Sequence, residues 1–280
     1  MPWRRSTADE NLFVSARGRA NAAGDPLSQK IWRPRIVIAP PLPRNDGSRA
    51  PVPARAPLVS RVLAPRIKAL DMSDILRSLG YPPDAAPPAD VRRTVAQTLV
   101  DAQPLLQPRG AFALYPVTAL GARALEIGGM TVVGDVGEFL AGARRIAVFM
   151  VTIGSEITRR AEARCRDGDA LAGLALDAIG SWAAEATAEA LMAELASELG
   201  PGEAFTLRYS PGYCGMDLTQ QRTLFQLAPA DAAGISLLPS LLMHPLKSIS
   251  GIVGLGPREA VGVHLSPCER CPLVGCHMRR

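Results

Sequence analysis

Residues 208–213 are the most informative segment of the chain, and they read Arg208-Tyr209-Ser210-Pro211-Gly212-Tyr213. The segment joins a permanent cation and two aromatic rings to a proline-glycine turn, at the end of a strand predicted over residues 205–209. A guanidinium there can bind a carboxylate, and a tyrosine ring can stack on another ring or on a sulfonium. Taken alone, the hexapeptide is more simply interpreted as a plain turn with a solvated arginine.

Three further segments follow the hexapeptide in a fixed order. They are Leu224-Phe225-Gln226-Leu227, Gly234-Ile235-Ser236-Leu237 and Leu242-Met243-His244-Pro245-Leu246-Lys247-Ser248-Ile249-Ser250-Gly251. The pattern predicts a helix over residues 219–227 and a strand over residues 248–255.

The upstream sequence alternates between helix and strand signals. Asp71 or Ser73 is suited to cap a helix that ends at Gly80, and a second helix fits residues 90–106. Strands are predicted over 109–117, 124–134 and 146–152, followed by a helix from Ile157 and a long alanine-rich helix over 169–199. This mixture predicts an α+β fold.

In their order and spacing, these segments resemble the activation (reactivation) domain of cobalamin-dependent methionine synthase, the module that binds S-adenosylmethionine. The stand-alone form of that domain is the closer match. Three upstream segments carry the same resemblance: residues 74–81 (DILRSLGY), 151–156 (VTIGSE) and 176–180 (LDAIG). The resemblance covers roughly residues 67–280 and implies a bent central antiparallel sheet flanked by helices.

The resemblance implies reductive reactivation of a cobalamin-dependent methyltransferase, most simply methionine synthase. S-adenosylmethionine would be the ligand, cobalamin would be held by a corrinoid-binding partner subunit, and a flavodoxin- or ferredoxin-type donor would supply one electron. The chain would then be a component of a methyltransferase rather than a complete enzyme, because we find no corrinoid-binding motif in it. Service to another corrinoid methyltransferase is an alternative that the sequence leaves open.

The family's binding residues can be carried over to matching positions of this chain. Arg208 matches the arginine that holds the carboxylate of S-adenosylmethionine. Around it, Ser210, Gly212 and Tyr213 match positions of the turn that lines the ligand groove. The later segment that closes the same region matches at Met243, Pro245, Ser248, Ser250 and Gly251.

The chain departs from the full-length synthases at two places. Leu238-Pro239 stands where they carry a Thr-Glu pair, and Met216-Asp217 stands where they carry a Cys-Pro pair. An acidic contact to the ligand's amino group therefore has no clear counterpart, and Glu156 and Asp217 are the candidates. No residue is assigned a catalytic role.

The C-terminus carries a separate signal in Cys268, Cys271 and Cys276, which His277 follows. Three thiols within nine residues can converge on zinc or on an iron–sulfur cluster, with His277 or Cys214 as a possible fourth ligand. A cluster there could relay the reducing electron. A redox-active thiol pair and inert surface thiols are the alternatives.

Charge divides the chain at residue 66. Residues 1–66 hold 12 basic and 4 acidic residues, a balance of +8, whereas residues 67–280 hold 19 and 22, a balance of −3. The first segment is also rich in proline, so we expect a largely disordered tail over residues 1–66. The activation domain is then predicted over 67–265 and a Cys-rich tail over 266–280.

The composition of the chain bears on three other classes: membrane proteins, secreted proteins and nucleic-acid-binding proteins. The apolar stretches fall short of the roughly 18 residues that a membrane span needs, and arginines and acids interrupt the first 20 residues where a secretory signal would lie. We therefore expect a cytoplasmic protein with no membrane partner. An Arg-rich tail beside a structural zinc site would instead fit a basic nucleic-acid-binding protein, but that alternative leaves the ordered segments from 208 to 251 unexplained.

Overall fold

A central antiparallel sheet organises the computed structural model, which describes residues 56–82 and 86–261. Its five strands lie in the order β1-β2-β6-β10-β7, and each neighbouring pair is antiparallel. Two smaller sheets have the orders β3-β4-β5 and β8-β9. The strands are β1 Val59–Leu63, β2 Arg109–Pro116, β3 Ala119–Leu120, β4 Ala124–Ile127, β5 Met130–Val133, β6 Arg145–Thr152, β7 Glu203–Phe205, β8 Ser236–Leu237, β9 Met243–His244 and β10 Ser248–Pro257.

Six α-helices accompany the sheets in the described part of the chain. They are α1 Met72–Ser78, α2 Ala89–Ala102, α3 Val136–Phe139, α4 Glu156–Arg166, α5 Ala170–Leu195 and α6 Gln221–Leu227. Asp71 caps α1 by accepting a hydrogen bond from the backbone N of Ser73 at 2.8 Å. The central sheet and flanking helices confirm the predicted α+β class.

The central sheet is covered on both faces, and this explains why its middle strands are almost entirely apolar. Successive strand residues point to opposite faces. In β2, Ala111 and Ala113 join one buried cluster with Tyr209 and α6, whereas Phe112 and Leu114 join another with Leu191 of α5. Helix α5 therefore covers one face, and the small β3-β4-β5 sheet with α3 and α6 covers the other.

Helix α5 is also the centre of a helical layer. It packs against α1, α2 and α4, and Ile75, Val95, Ile157 and Ile179 are fully buried among these four helices. Its alanines and glycines allow this close approach, because Gly173 lies so near α4 that a Cβ there would meet the Cys165 thiol at 2.3 Å. Among the described residues, no helix combines the length and the apolar run that a bilayer crossing requires.

One predicted boundary needs correction. Strand β1, Val59–Leu63, lies within the segment predicted as a disordered tail, yet it pairs with β2 along its whole length. Val59 and Leu63 pack against the buried cluster between the sheet and α5. The folded unit therefore begins before residue 67. The rest of the predicted N-terminal tail, residues 1–55, and the predicted C-terminal tail, residues 266–280, lie outside the described residues.

Candidate functional site

Two segments singled out by the sequence meet at the edge of β10. Tyr209 and Ile252 form an antiparallel bridge, with N to O distances of 2.9 Å and 2.8 Å in the two directions. One residue further along, Ser210 lies against Gly251, where a Cβ would come within 2.8 Å of the Ser210 Oγ. The structure therefore places Arg208, Ser210 and Gly251 next to one another.

Glycines make the turn after Ser210 possible. Gly212 has φ +89° and donates a backbone hydrogen bond to the carbonyl of Met216 at 2.8 Å. Gly215 has φ +82°, and a Cβ there would lie 2.4 Å from the Asp135 carboxylate. The closed turn leaves the side chain of Tyr213 59% exposed, so its ring faces solvent beside the segment.

The buried side chain of Tyr209 anchors this turn to the core. It is 1% exposed, and its ring stacks on Phe139 with the centroids 4.5 Å apart. Its hydroxyl accepts a hydrogen bond from the backbone N of Asp135 at 2.9 Å and donates one to the carbonyl of Cys214 at 2.8 Å. Burial raises the pKa of Tyr209 to about 12, so the hydroxyl stays a donor.

Arg208 points to the opposite face of the strand, toward helix α5. Its Nη2 lies 2.9 Å from Oε2 of Glu185, and the two side chains are 29% and 39% exposed. Glu185 was not among the predicted contacts. The two acids that were predicted have local partners, because Glu156 pairs with Arg159, and Asp217 accepts hydrogen bonds from the N and Oγ1 of Thr219. These bonds to Thr219 lower the pKa of Asp217.

A line of polar side chains on α5 continues from Glu185. Asp177 and Ser181 precede it at intervals of four residues, so the three share one helix face and span about 12 Å. Lys247 reaches this line, with its Nζ 2.8 Å from Oδ1 of Asp177 and 2.9 Å from Oγ of Ser181. Helix α5 thus contacts both segments, one through Arg208 and the other through Lys247. We call Arg208, Glu185, Ser210 and Gly251 the Arg208 site.

The remaining predicted contacts lie on or beside β10, in different orientations. Gly251 pairs with Phe149, on the α5 face, whereas Ser250 is 4% exposed and pairs with Met150, which is buried in the cluster on the other face. Strand alternation therefore leaves only the backbone of Ser250 for a ligand on the α5 face.

The segment before β10 is held by its own contacts. Ser248 donates its hydroxyl to the carbonyl of Pro245 at 2.6 Å. Met243 is half-buried in β9 and packs against the core, opposite Leu237 of β8. These residues are connected to the Arg208 site in two ways. They lead directly into β10, and Lys247 contacts the same helix, α5, that contacts Arg208.

A separate depression of about 700 Å³ lies on the other side of the turn. Arg123 and Asp135 form an ion pair in its wall, and Nη2 of Arg123 lies 3.5 Å from the carbonyl of Gly215. The residues that line it do not include Arg208 or Glu185.

The predicted metal ligands Cys268, Cys271, Cys276 and His277 lie outside the described residues. Within residues 56–82 and 86–261, no group of three or more His, Cys, Asp or Glu side chains is placed to hold a metal ion. Cys214, the other possible fourth ligand, is half-buried in the turn with φ +39°. The metal site stays a prediction.

Part of the chain is similar to a known protein family. Residues 139–261 match the profile of the vitamin B12 dependent methionine synthase activation domain. The match covers less than half of the chain, and it is a similarity of this part of the chain to the activation domain. The matched residues include Glu185, Arg208, Lys247 and Gly251, and so contain the whole Arg208 site.

Solved structures agree with this fold. Thirteen chains match, among them the crystal structure of the MetH reactivation domain bound to AdoHcy. That structure is 18% identical, has a TM-score of 0.58 and covers 78% of this chain and 85% of its own. No curated protein sequence matches the chain. At this identity the likeness supports the fold of the activation domain, and the ligand has to be argued from the residues present.

Proposed function

We propose that this protein binds S-adenosylmethionine at the Arg208 site and presents its methyl group to the reduced corrinoid of a partner, thereby reactivating a cobalamin-dependent methyltransferase. The similarity of residues 139–261 to the methionine synthase activation domain and the likeness to a reactivation domain bound to AdoHcy support this role. Methionine synthase is the partner that the family favours.

The Arg208–Glu185 pair is the observation that carries the proposal. The amino-acid end of S-adenosylmethionine has one carboxylate and one ammonium group, and the site offers one guanidinium and one carboxylate 2.9 Å apart. A ligand of this kind replaces the internal pair with two pairs, so neither protein charge is left without a partner. Both side chains are partly exposed, so exchange does not require the core to open.

The surroundings of the pair fit the same ligand. Gly251 has no side chain, and Oγ of Ser210 lies 2.8 Å from the position of a Cβ there, so the two segments pack closely beside Arg208. The ring of Tyr213 is 59% exposed and can stack on an aromatic base or lie over a sulfonium cation. These residues would bind and orient the ligand.

Orientation is the chemical contribution that we assign to the protein. S-adenosylmethionine supplies an electrophilic methyl group, and the partner's corrinoid, reduced by one electron from a flavodoxin- or ferredoxin-type donor, supplies the nucleophile. Arg208 and Glu185 would fix the amino-acid end, so that the sulfonium is held at one place and angle for in-line attack. A side chain that exchanges protons is not needed, since the methyl group moves without one.

The proposal is tested by following a labelled methyl group. The full chain is mixed with methyl-labelled S-adenosylmethionine and a cobalamin-loaded methionine synthase that has no activation domain of its own, under a chemical reductant, and labelled methylcobalamin is measured. At a subsaturating ligand concentration, Glu185→Gln should slow labelling about tenfold or more, the loss expected for a contact to a charged group. Glu194→Gln, on an exposed part of the same helix, is the matched control and should label at the wild-type rate.

Labelling that proceeds equally fast without the protein would contradict the proposal. Labelling with the corrinoid protein of another methyltransferase, but not with methionine synthase, would change the partner and keep the chemistry. Growth of a deletion strain with and without methionine separates the same two partners in the cell.

A further inference from the structure

Lys247 connects β6, β10 and α5 beside the Arg208 site. It directly precedes β10, and its carbonyl accepts a hydrogen bond from the backbone N of Ile153 at the end of β6, at 3.2 Å. Its side chain is 12% exposed, and its Nζ is bonded to Asp177 and Ser181 of α5.

Gly180 provides the path for this side chain. A Cβ on Gly180 would lie 3.2 Å from both Cγ and Cε of Lys247. The missing side chain therefore lets the lysine methylenes lie directly on the helix, with the ammonium held between Asp177 and Ser181. This is the mode in which long cationic side chains bury their stems and keep their charge paired.

The contact between Lys247 and Asp177 positions the segment 243–251 on α5 and adds little to the free energy of unfolding. Asp177 is 56% exposed, and ion pairs with one solvated partner add little to the free energy of unfolding. Asp177, Ser181 and Glu185 lie on one face of α5, and Glu185 contacts Arg208. The helix thus holds the segment 243–251 at one end of the line and the segment 208–213 at the other.

We propose that Lys247 is a positioning residue of the ligand site: its contacts to Asp177 and Ser181 hold the segment 243–251 in register with the Arg208–Glu185 pair. It acts through this segment and does not touch the ligand. The inference rests on the proposed function, since it concerns the same site, and it adds a residue and a helix face to which no role has been assigned.

The test measures the affinity of the full chain for S-adenosylhomocysteine by calorimetry, together with the urea midpoint of unfolding. Lys247→Met keeps the methylenes over Gly180 and removes the charge. Its affinity should fall about tenfold while the urea midpoint stays at the wild-type value. Asp177→Asn should cause a similar loss, and the double variant should be no weaker than either single variant, because both remove the same contact. Lys247→Arg keeps the cation and should recover most of the affinity.

A matched control is Arg166→Met, which removes a cation from the exposed pair with Glu162 on α4. It should bind as wild type does. Wild-type affinity in Lys247→Met overturns the positioning role and leaves the proposed function standing. Additive losses in the double variant, no recovery in Lys247→Arg, or a lowered urea midpoint that accounts for the lost affinity, each overturn it as well. A wild-type chain that does not bind S-adenosylhomocysteine overturns both the proposed function and this inference.

Discussion

Arg208 and Tyr209 are adjacent in sequence and have opposite surroundings. Strand alternation sends the tyrosine into the core, where it is 1% exposed and stacked on Phe139, and sends the arginine toward Glu185 of α5. The buried tyrosine fixes the position of the turn, whereas the arginine is partly exposed and pairs with Glu185. One dipeptide thus joins the residue that supports the turn to the residue that we propose binds the ligand.

Removing the Tyr209 hydroxyl should destabilise the fold. Tyr209→Phe removes the partner of two half-buried backbone groups, the N–H of Asp135 and the carbonyl of Cys214. We expect a loss of about 1–3 kcal/mol in the free energy of unfolding, measured by urea at neutral pH. Ring stacking is retained, so the ligand site should still form.

The same variant should change how stability depends on alkaline pH. The pKa of Tyr209 is raised by burial from 10.0 to about 12, so the folded state holds this proton more tightly than the unfolded state. The stabilisation is complete below pH 10 and is lost as pH rises through about 12. Burial also raises the pKa of Tyr115. Part of the loss of stability at alkaline pH therefore remains in the variant. Parallel stability curves for wild type and Tyr209→Phe between these two pKa values would contradict the account.

At the scale of elements, β10 depends on glycine where it meets the segment 208–213. A Cβ on Gly251 would lie 2.8 Å from Oγ of Ser210 and 3.0 Å from two ring atoms of Phe149. Gly251→Ala should therefore cost about 1–3 kcal/mol in the free energy of unfolding and weaken ligand binding by pushing the two segments apart. Gly121→Ala is the control, since its nearest contact would be 3.7 Å away and its stability should change little. Equal unfolding midpoints for the two variants would show that the contact is not close-packed.

The elements were largely predictable from the sequence, because their periodicity is local. Asp71 capping α1, the long α5 and the strands β6 and β10 follow from caps, alanine content and β-branched runs. The strand predicted over 205–209 is shorter, and β7 ends at Phe205. The reason is that Oγ1 of Thr206 accepts the hydrogen bond from the backbone N of Gly254, at 2.9 Å, in place of a backbone carbonyl.

The candidate site was predictable only in part. Arg208 and the turn carry a sequence pattern, but Glu185 is one of four acidic residues on α5 and becomes informative only beside Arg208. The spacing of Asp177, Ser181 and Glu185 at four-residue intervals is a signal that could have marked this face of an alanine-rich helix. The loop that packs on this face of α5 is determined by tertiary packing, which cannot be deduced from the spacing of the residues.

At the scale of the whole molecule, the folded part begins at an earlier residue than the composition of the chain suggests. Strand β1 lies in a Pro- and Arg-rich context that conceals it, yet it closes one side of the central sheet. A chain lacking residues 1–55 should keep the stability of the full chain. A chain lacking residues 1–66 loses the packing of Val59 and Leu63 and should be less stable by about 3 kcal/mol or more in urea unfolding. Equal stability of the two truncated chains would contradict the assignment of β1 to the sheet.

The C-terminal cysteines give a prediction for the intact chain. If Cys268, Cys271 and Cys276 hold a cluster, protein purified without oxygen should contain iron and acid-labile sulfide, and replacing the three cysteines with serine should remove both. Zinc without sulfide would indicate a structural site instead. Protein that contains neither metal would contradict the prediction.

Whether the Arg208 site binds S-adenosylmethionine can be measured by calorimetry on the full chain and on Arg208→Ala. The wild type should bind, and Arg208→Ala should lose about 1.5–3 kcal/mol of binding free energy, as expected for a charge-assisted contact to the ligand's carboxylate. The variant should stay folded, since the Arg208–Glu185 pair is partly solvated. Equal affinity in the two proteins, or a wild type that does not bind, would contradict the account.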